Sequence, residues 1–162
     1  MKRKLTLVIS AAALITAVLI AGGCGGYASG SAPYGPSGQA GAAEVARADS
    51  SLGHILVENS GLTLYVFEKD TNGRSACSGQ CATYWPPLLT NAKPAARGGV
   101  TQVLLGTTRR ADGSAQVTYA GRPLYRFVED SKPGQTNGEG SQEFGGEWNA
   151  LSPDGKEIES DD

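Results

Sequence analysis

Gly61-Leu62-Thr63-Leu64-Tyr65-Val66-Phe67-Glu68-Lys69-Asp70 returns 60 residues later as Gly121-Arg122-Pro123-Leu124-Tyr125-Arg126-Phe127-Val128-Glu129-Asp130, with Gly, Leu, Tyr, Phe and Asp at the same places. Gly53 and Val57 recur as Gly113 and Val117 at the same offset, and Trp85 and Leu88 recur as Trp148 and Leu151 at an offset of 63. In a chain with 2 Trp, 6 Tyr and 3 Phe, such agreement is not coincidence. It marks two copies of one supersecondary unit, at about 53–90 and 113–155. A single unit cannot bury its own apolar face, so the pair shares a core.

The unit reads as β. Residues 54–58 and 61–68 are short runs rich in β-branched and aromatic residues, separated by Asn59-Ser60, which predicts two strands and a tight turn. The second copy repeats the pattern over 115–119, the turn Ala120-Gly121, and 122–128. Asn72-Gly73 and Asn137-Gly138 predict further hairpin turns, and 100–108 is one more candidate strand leading into a turn over 110–113. An apolar period of 3.6 shows only over 92–97, where Pro94 interrupts it. The expectation is an all-β domain with pseudo-twofold symmetry, a small sandwich or barrel-like sheet built from two strand-turn-strand-loop copies.

Residues two apart on a strand share a face, so Tyr65 with Phe67 and Tyr125 with Phe127 each form an aromatic face. The opposite face holds Leu64 and Val66 in one copy but Leu124 and Arg126 in the other, which makes the aromatic face the expected shared core. Asp70 and Asp130 fall just past the strands, where a carboxylate accepts backbone N–H groups of the next turn. The functional alternative is an aromatic binding surface edged by carboxylates, or an acid–base pair. Duplication speaks against the latter, because such a pair needs two different environments.

The amino-terminal residues read as an address. Met1-Lys2-Arg3-Lys4 is basic, residues 5–21 carry no charge, and Ala21-Gly22-Gly23 precede Cys24, the layout of an export signal over 1–23. Ala21-Gly22-Gly23-Cys24 resembles a bacterial lipobox, with Ala21 in place of the usual leucine; the resemblance implies cleavage and diacylation of Cys24. An uncleaved anchor is the alternative, and either places the rest of the chain outside the membrane. Loss of Lys2, Arg3 and Lys4 turns 14 basic against 16 acidic residues into 11 against 16, a net charge of −5. Without a basic cluster the chain is not expected to bind nucleic acid. Of residues 25–48, 18 of 24 are Gly, Ala, Ser or Pro, so 24–48 reads as a tether reaching about 25–30 Å and 49–162 as one β domain.

The repeated Tyr-x-Phe-x-x-Asp, the run Cys77-Ser78-Gly79-Gln80-Cys81-Ala82, and Trp85-Pro86-Pro87-Leu88 succeed one another in the first copy. Arg122-Pro123-Leu124-Tyr125, Pro133-Gly134, Asn137-Gly138 and Trp148 belong to the second. Together they resemble the bacterial secreted-repeat lipoprotein family. The resemblance implies an exported or lipid-anchored protein carrying two or more copies of the repeat, with no established activity.

Sulfur chemistry is confined to Cys77 and Cys81, since Cys24 is assigned to lipid. In an oxidising compartment such a pair is most simply a disulfide. C-x-x-x-C fits neither haem attachment nor thioredoxin-type redox chemistry. It does resemble the spacing in copper-delivery proteins, so Cys77, Cys81 and His54 are the one conceivable copper triad, although the α/β pattern of those proteins is absent. Asp70 to Ser75 begins like a calcium loop, but Arg74 stands at a ligand position and Cys81 where a bidentate Glu belongs. The glycines at 138–140 lack a phosphate-loop context, no Gly-x-Ser-x-Gly elbow occurs, and a serine triad would need the single His54. The sequence therefore predicts a membrane-anchored, non-enzymatic binding or interaction module of the cell envelope, needing no cofactor. Its partner would be an envelope protein or small ligand; copper or thiol handling is the alternative.

Overall fold

A computed structural model describes residues 41–158; the export signal, Cys24 and most of the tether lie outside the described residues. The first copy opens with a hairpin of β1 (Glu44–Ser50) and β2 (Gly53–Glu58), the second with a hairpin of β5 (Leu105–Arg109) and β6 (Ala115–Tyr119). Both are antiparallel. β3 (Tyr65–Phe67) pairs antiparallel with β8 (Trp148–Ala150), so the aromatic strand of copy one lies beside the end of copy two. β4 (Ala95–Ala96) runs parallel to β1, and β7 (Arg122–Pro123) closes the edge of β6. The sole α-helix among the described residues is α1 (Gln80–Tyr84). The domain is all-β as expected, made of three small sheets with no closed barrel.

Three sequence expectations need correction. The folded domain begins before residue 49, because β1 starts at Glu44 and Ala43 and Val45 are buried. An alanine-rich composition hid the strand: Val45 is the only large apolar residue in it, and alanine carries little β signal. Second, 102–104 form a 3₁₀ turn, and the strand covers only Leu105–Arg109. Third, Asn137-Gly138 is not a two-residue hairpin. Gly138 instead lies beneath Trp85, where an added Cβ would sit 2.6 Å from the indole Cη2 and 3.1 Å from Tyr65 Cζ. The Asn72-Gly73 turn does form, both residues having positive φ and Thr71 bridging Arg74, as a type I′ turn requires.

The copies also differ in their turns, and the link from the second strand to the repeated strand is one residue longer in copy one, Leu56 to Leu64 against Val117 to Leu124. Ser50 pairs with Gly53 across a two-residue loop, whereas Arg109 pairs with Ala115 across five residues. The match of Val57 with Val117 is therefore one of sequence alone. Val57 packs in an aromatic cluster and Val117 in an aliphatic one, because a one-residue step reverses the face of every side chain. Leu56 is the structural counterpart of Val117: Leu64 N–H donates to Leu56 O, and Leu124 N–H to Val117 O, both at 2.9 Å.

Both faces of the repeated strand are buried. Leu64, Val66 and Leu124 join Val45, Leu56, Leu88 and Tyr119 in the aliphatic cluster, while Tyr65, Phe67, Tyr125 and Phe127 join Trp85 and Trp148 in the aromatic one. Arg126, which replaces Val66 in the second copy, approaches the buried Glu58 carboxylate at 3.7 Å. Since Gly138 has no room for a methyl group, Gly138→Ala should destabilise the domain by about 1–3 kcal/mol through overpacking. Gly113→Ala, in open space at φ 83, should cost only the backbone strain of about 1 kcal/mol. Urea midpoints of the two variants test the order.

Candidate functional site

The centre of the domain is a reciprocal pair. Tyr65 N–H donates to Tyr125 O, and Tyr125 N–H to Tyr65 O, each at 2.9 Å. Each phenol then reaches the aspartate of the other copy: Tyr65 Oη donates to Asp130 Oδ2 at 2.6 Å and Tyr125 Oη to Asp70 Oδ2 at 2.8 Å. The remaining carboxylate oxygens accept backbone N–H groups, Asp70 Oδ1 from Ala76 at 2.7 Å and Asp130 Oδ1 from Asn137 at 3.0 Å. The expected turn-capping role is thus present, joined to a link between copies that the sequence did not announce.

Above this pair the rings form a column. Phe67 stacks on Trp148 at 4.1 Å, Trp148 on Trp85 at 4.0 Å, and Trp85 on Phe127 at 4.3 Å. Tyr65 meets Trp85 edge-on at 5.4 Å, and Tyr125 meets Trp148 edge-on at 5.1 Å. Offset and edge contacts of this kind each add about 0.5–1.5 kcal/mol to simple burial. Glu143 serves both indoles: Trp85 Nε1 donates to its Oε2 at 3.0 Å, and Trp148 Nε1 to its carbonyl at 3.1 Å.

Burial raises the pKa of both aspartates, opposed at Asp130 by the Tyr65 hydroxyl and the Asn137 amide and at Asp70 by Ala76 and Tyr125. Burial likewise raises both phenols, with the adjoining carboxylates adding to it. Asp70 and Asp130 occupy separate, matching environments rather than one shared site, which is the arrangement of a structural clasp and not of an acid paired with a base.

A polar network between the loop of copy one and the β5–β6 hairpin of copy two has no counterpart among the sequence motifs. Ser75 Oγ lies 2.7 Å from Tyr125 Oη. Arg110 donates to Ser75 Oγ at 2.8 Å, to Gln116 Oε1 at 2.7 Å and to the Cys77 carbonyl at 2.7 Å. Gln116, fully buried, donates to Leu124 O at 2.8 Å. A glutamine beside Val117 in a short strand was the available signal, since a buried amide requires partners.

Cys77 and Cys81 form a disulfide, and both are buried against the aromatic cluster. No thiolate is then available to a metal. His54 stands at the β1–β2 corner with Nδ1 2.6 Å from Asp49 Oδ1. Among the described residues, no three His, Cys, Asp or Glu side chains converge as metal ligands, so Cys77, Cys81 and His54 are not brought together.

The exposed counterpart of the core is a patch formed by Tyr84, Phe144 and Val128, which are 43, 42 and 47% exposed. The rings of Tyr84 and Phe144 lie 6.0 Å apart, and Val128 N–H donates to Tyr84 O at 3.1 Å. Phe144 has φ 58 and ψ 25, a left-handed conformation that costs a non-glycine residue about 1–2 kcal/mol. No sequence motif signals this patch, because its three residues come from three separate segments.

Duplicated β units clasped through their cores and clipped by a disulfide define an exported repeat domain. The chain belongs to the family described as a secreted repeat of unknown function, whose model matches residues 46–89 and 106–152. Each match takes in the first strand of its hairpin, so the unit begins with β1 and β5 rather than at 53 and 113. No curated protein and no solved structure matches the chain.

The raised carboxylates fix the direction of the pH response. A group whose pKa is higher folded than unfolded stabilises the protein when protonated, and that stability is lost as pH rises from the unfolded value through the folded one. Asp70, Asp130 and Glu139 all shift this way. Urea midpoints should therefore fall from about pH 4 towards neutrality. Asp130→Asn should flatten the slope, whereas Asp130→Ala, which leaves Tyr65 Oη and Asn137 N–H unpaired, should cost about 2–3 kcal/mol.

Proposed function

We propose that the protein is a lipid-anchored, extracytoplasmic binding module of the cell envelope that works without catalysis and meets its partner through Tyr84, Phe144 and Val128. Phe144 carries this reading. Its backbone is strained, its ring is exposed and its neighbours are Glu143, which fixes both tryptophans, and Gly145 at φ 81. Strain held on a rigid scaffold is characteristic of functional surfaces, and exposed aromatics are the usual anchors of interfaces. A residue serving the fold alone would do better here as glycine or asparagine.

The anchor is the lipid expected on Cys24, with residues 25–40 as spacer.

Cys24→Ala should move the protein from the membrane to the soluble fraction, and the intact mass of the membrane form should carry a diacylglyceryl increment; an unmodified amino-terminal segment in that mass would refute the anchor. Phe144→Gly should raise stability by up to about 1 kcal/mol while abolishing cross-linking to the envelope partner. A variant that loses stability, or keeps the cross-link, would show that the ring serves the fold.

A further inference from the structure

The β1–β2 hairpin, the turn after β4 and the turn after β8 border an open cleft of about 410 Å³. None of its lining residues belongs to the aromatic patch. The volume falls within the roughly 300–1,000 Å³ of sites for small organic molecules.

Its charged groups are already partnered, with one exception. His54 Nδ1 is held by Asp49 at 2.6 Å, and Asp154 takes Lys156 Nζ at 3.2 Å. Arg47, an exposed residue of β1, is among the lining residues, and its guanidinium has no hydrogen bond or ion pair among the described residues. Arg97, Arg110, Arg122 and Arg126 have side-chain partners and Arg109 a backbone carbonyl, while Arg74, outside the cleft, is the other arginine whose guanidinium has neither among the described residues. A planar guanidinium suits a carboxylate, which it grips through two parallel N–H donors.

The remaining walls state what the carboxylate is attached to. Leu52, Pro153 and Ile158 supply apolar surface, and Leu52 and Ile158 also pack against the aromatic cluster, which makes that wall rigid. Gly99, at φ 94, contributes bare backbone with open space where a side chain would project. Asp154 in the lining and Asp49 on His54 oppose a ligand bearing several negative charges.

We propose that this cleft binds a free, small monocarboxylate with a branched or ring-shaped apolar body: the carboxylate lies on Arg47 and the body lies against Leu52, Pro153 and Ile158. The proposal is independent of the aromatic patch, so either can fail without the other.

N-acetyl-leucine titrated into the purified full chain, followed by amide chemical shifts, tests it. Saturable shifts are expected at Arg47, Gly99 and Ile158. N-acetyl-leucinamide, which lacks the charge, should bind about tenfold more weakly or worse, and Arg47→Gln should weaken the acid to a similar degree. The Arg47 side chain supports nothing else in the fold, so that variant stays folded. Ile158→Ser should weaken binding several-fold, and Arg74→Gln, outside the cleft, should not. Equal affinity for acid and amide, an unchanged Arg47→Gln, shifts centred elsewhere, or no saturation up to about 20 mM would each overturn the proposal. So would much tighter binding of Ala-Ala-Leu than of the acid, which would make a peptide end the true occupant.

Discussion

Two backbone hydrogen bonds, exchanged between Tyr65 and Tyr125, set the geometry of this domain. Once the two strands meet at that pair, the period of two along each strand puts Phe67 and Phe127 on the same side as the phenols, and the indoles of Trp85 and Trp148 fill the space between them. The crossed Tyr–Asp bonds then tie each strand to the loop of the other copy. Neither copy has a complete core or a satisfied aspartate by itself. The duplication is therefore an interlock and not two modules in series.

Around this near-symmetric centre the copies have diverged. Beside the stack, copy one carries the disulfide and its short helix, while copy two carries Gly138 and a 3₁₀ turn containing strained Phe144. Val66 in one strand is matched by Arg126 in the other, where it answers a buried glutamate. Such differences leave the clasp intact, because the Tyr65–Tyr125 link is made by backbone groups and the divergent residues lie on loops or, at Arg126, on the opposite strand face. Change is tolerated at the rim of a core whose central geometry is fixed by hydrogen bonds in both directions.

Much of this could be read from the chain. A repeated Tyr-x-Phe-x-x-Asp implied duplication, β structure and an aromatic core, because strand periodicity is local and large aromatics bury. Asp70 and Asp130 were legible as turn carboxylates but not as partners of Tyr125 and Tyr65, since residues 55 to 65 positions apart meet only when the topology is known. β1 was hidden by its alanines, whose small side chains carry almost no alternating signal. The shift between Val57 and Val117 was invisible for a related reason: identical residues align in sequence even where a longer turn has rotated one of them to the other face. Arg47, unremarkable in a stretch resembling a tether, acquires its setting from a turn more than a hundred residues later.

The crossed clasp also dictates an order of assembly. As the chain emerges from its amino terminus, β1, β2 and β3 appear long before β8, so Trp85 has no ring partner from copy two until Phe127 is free, and Phe67 none until Trp148 is free. Contacts this distant in sequence form slowly. The Cys77–Cys81 bond, by contrast, spans only four positions and can close on the isolated first half. Copy one, which must wait with its aromatic face open, is the copy that holds the local covalent clip; copy two arrives to a surface already in place and closes over it with glycine.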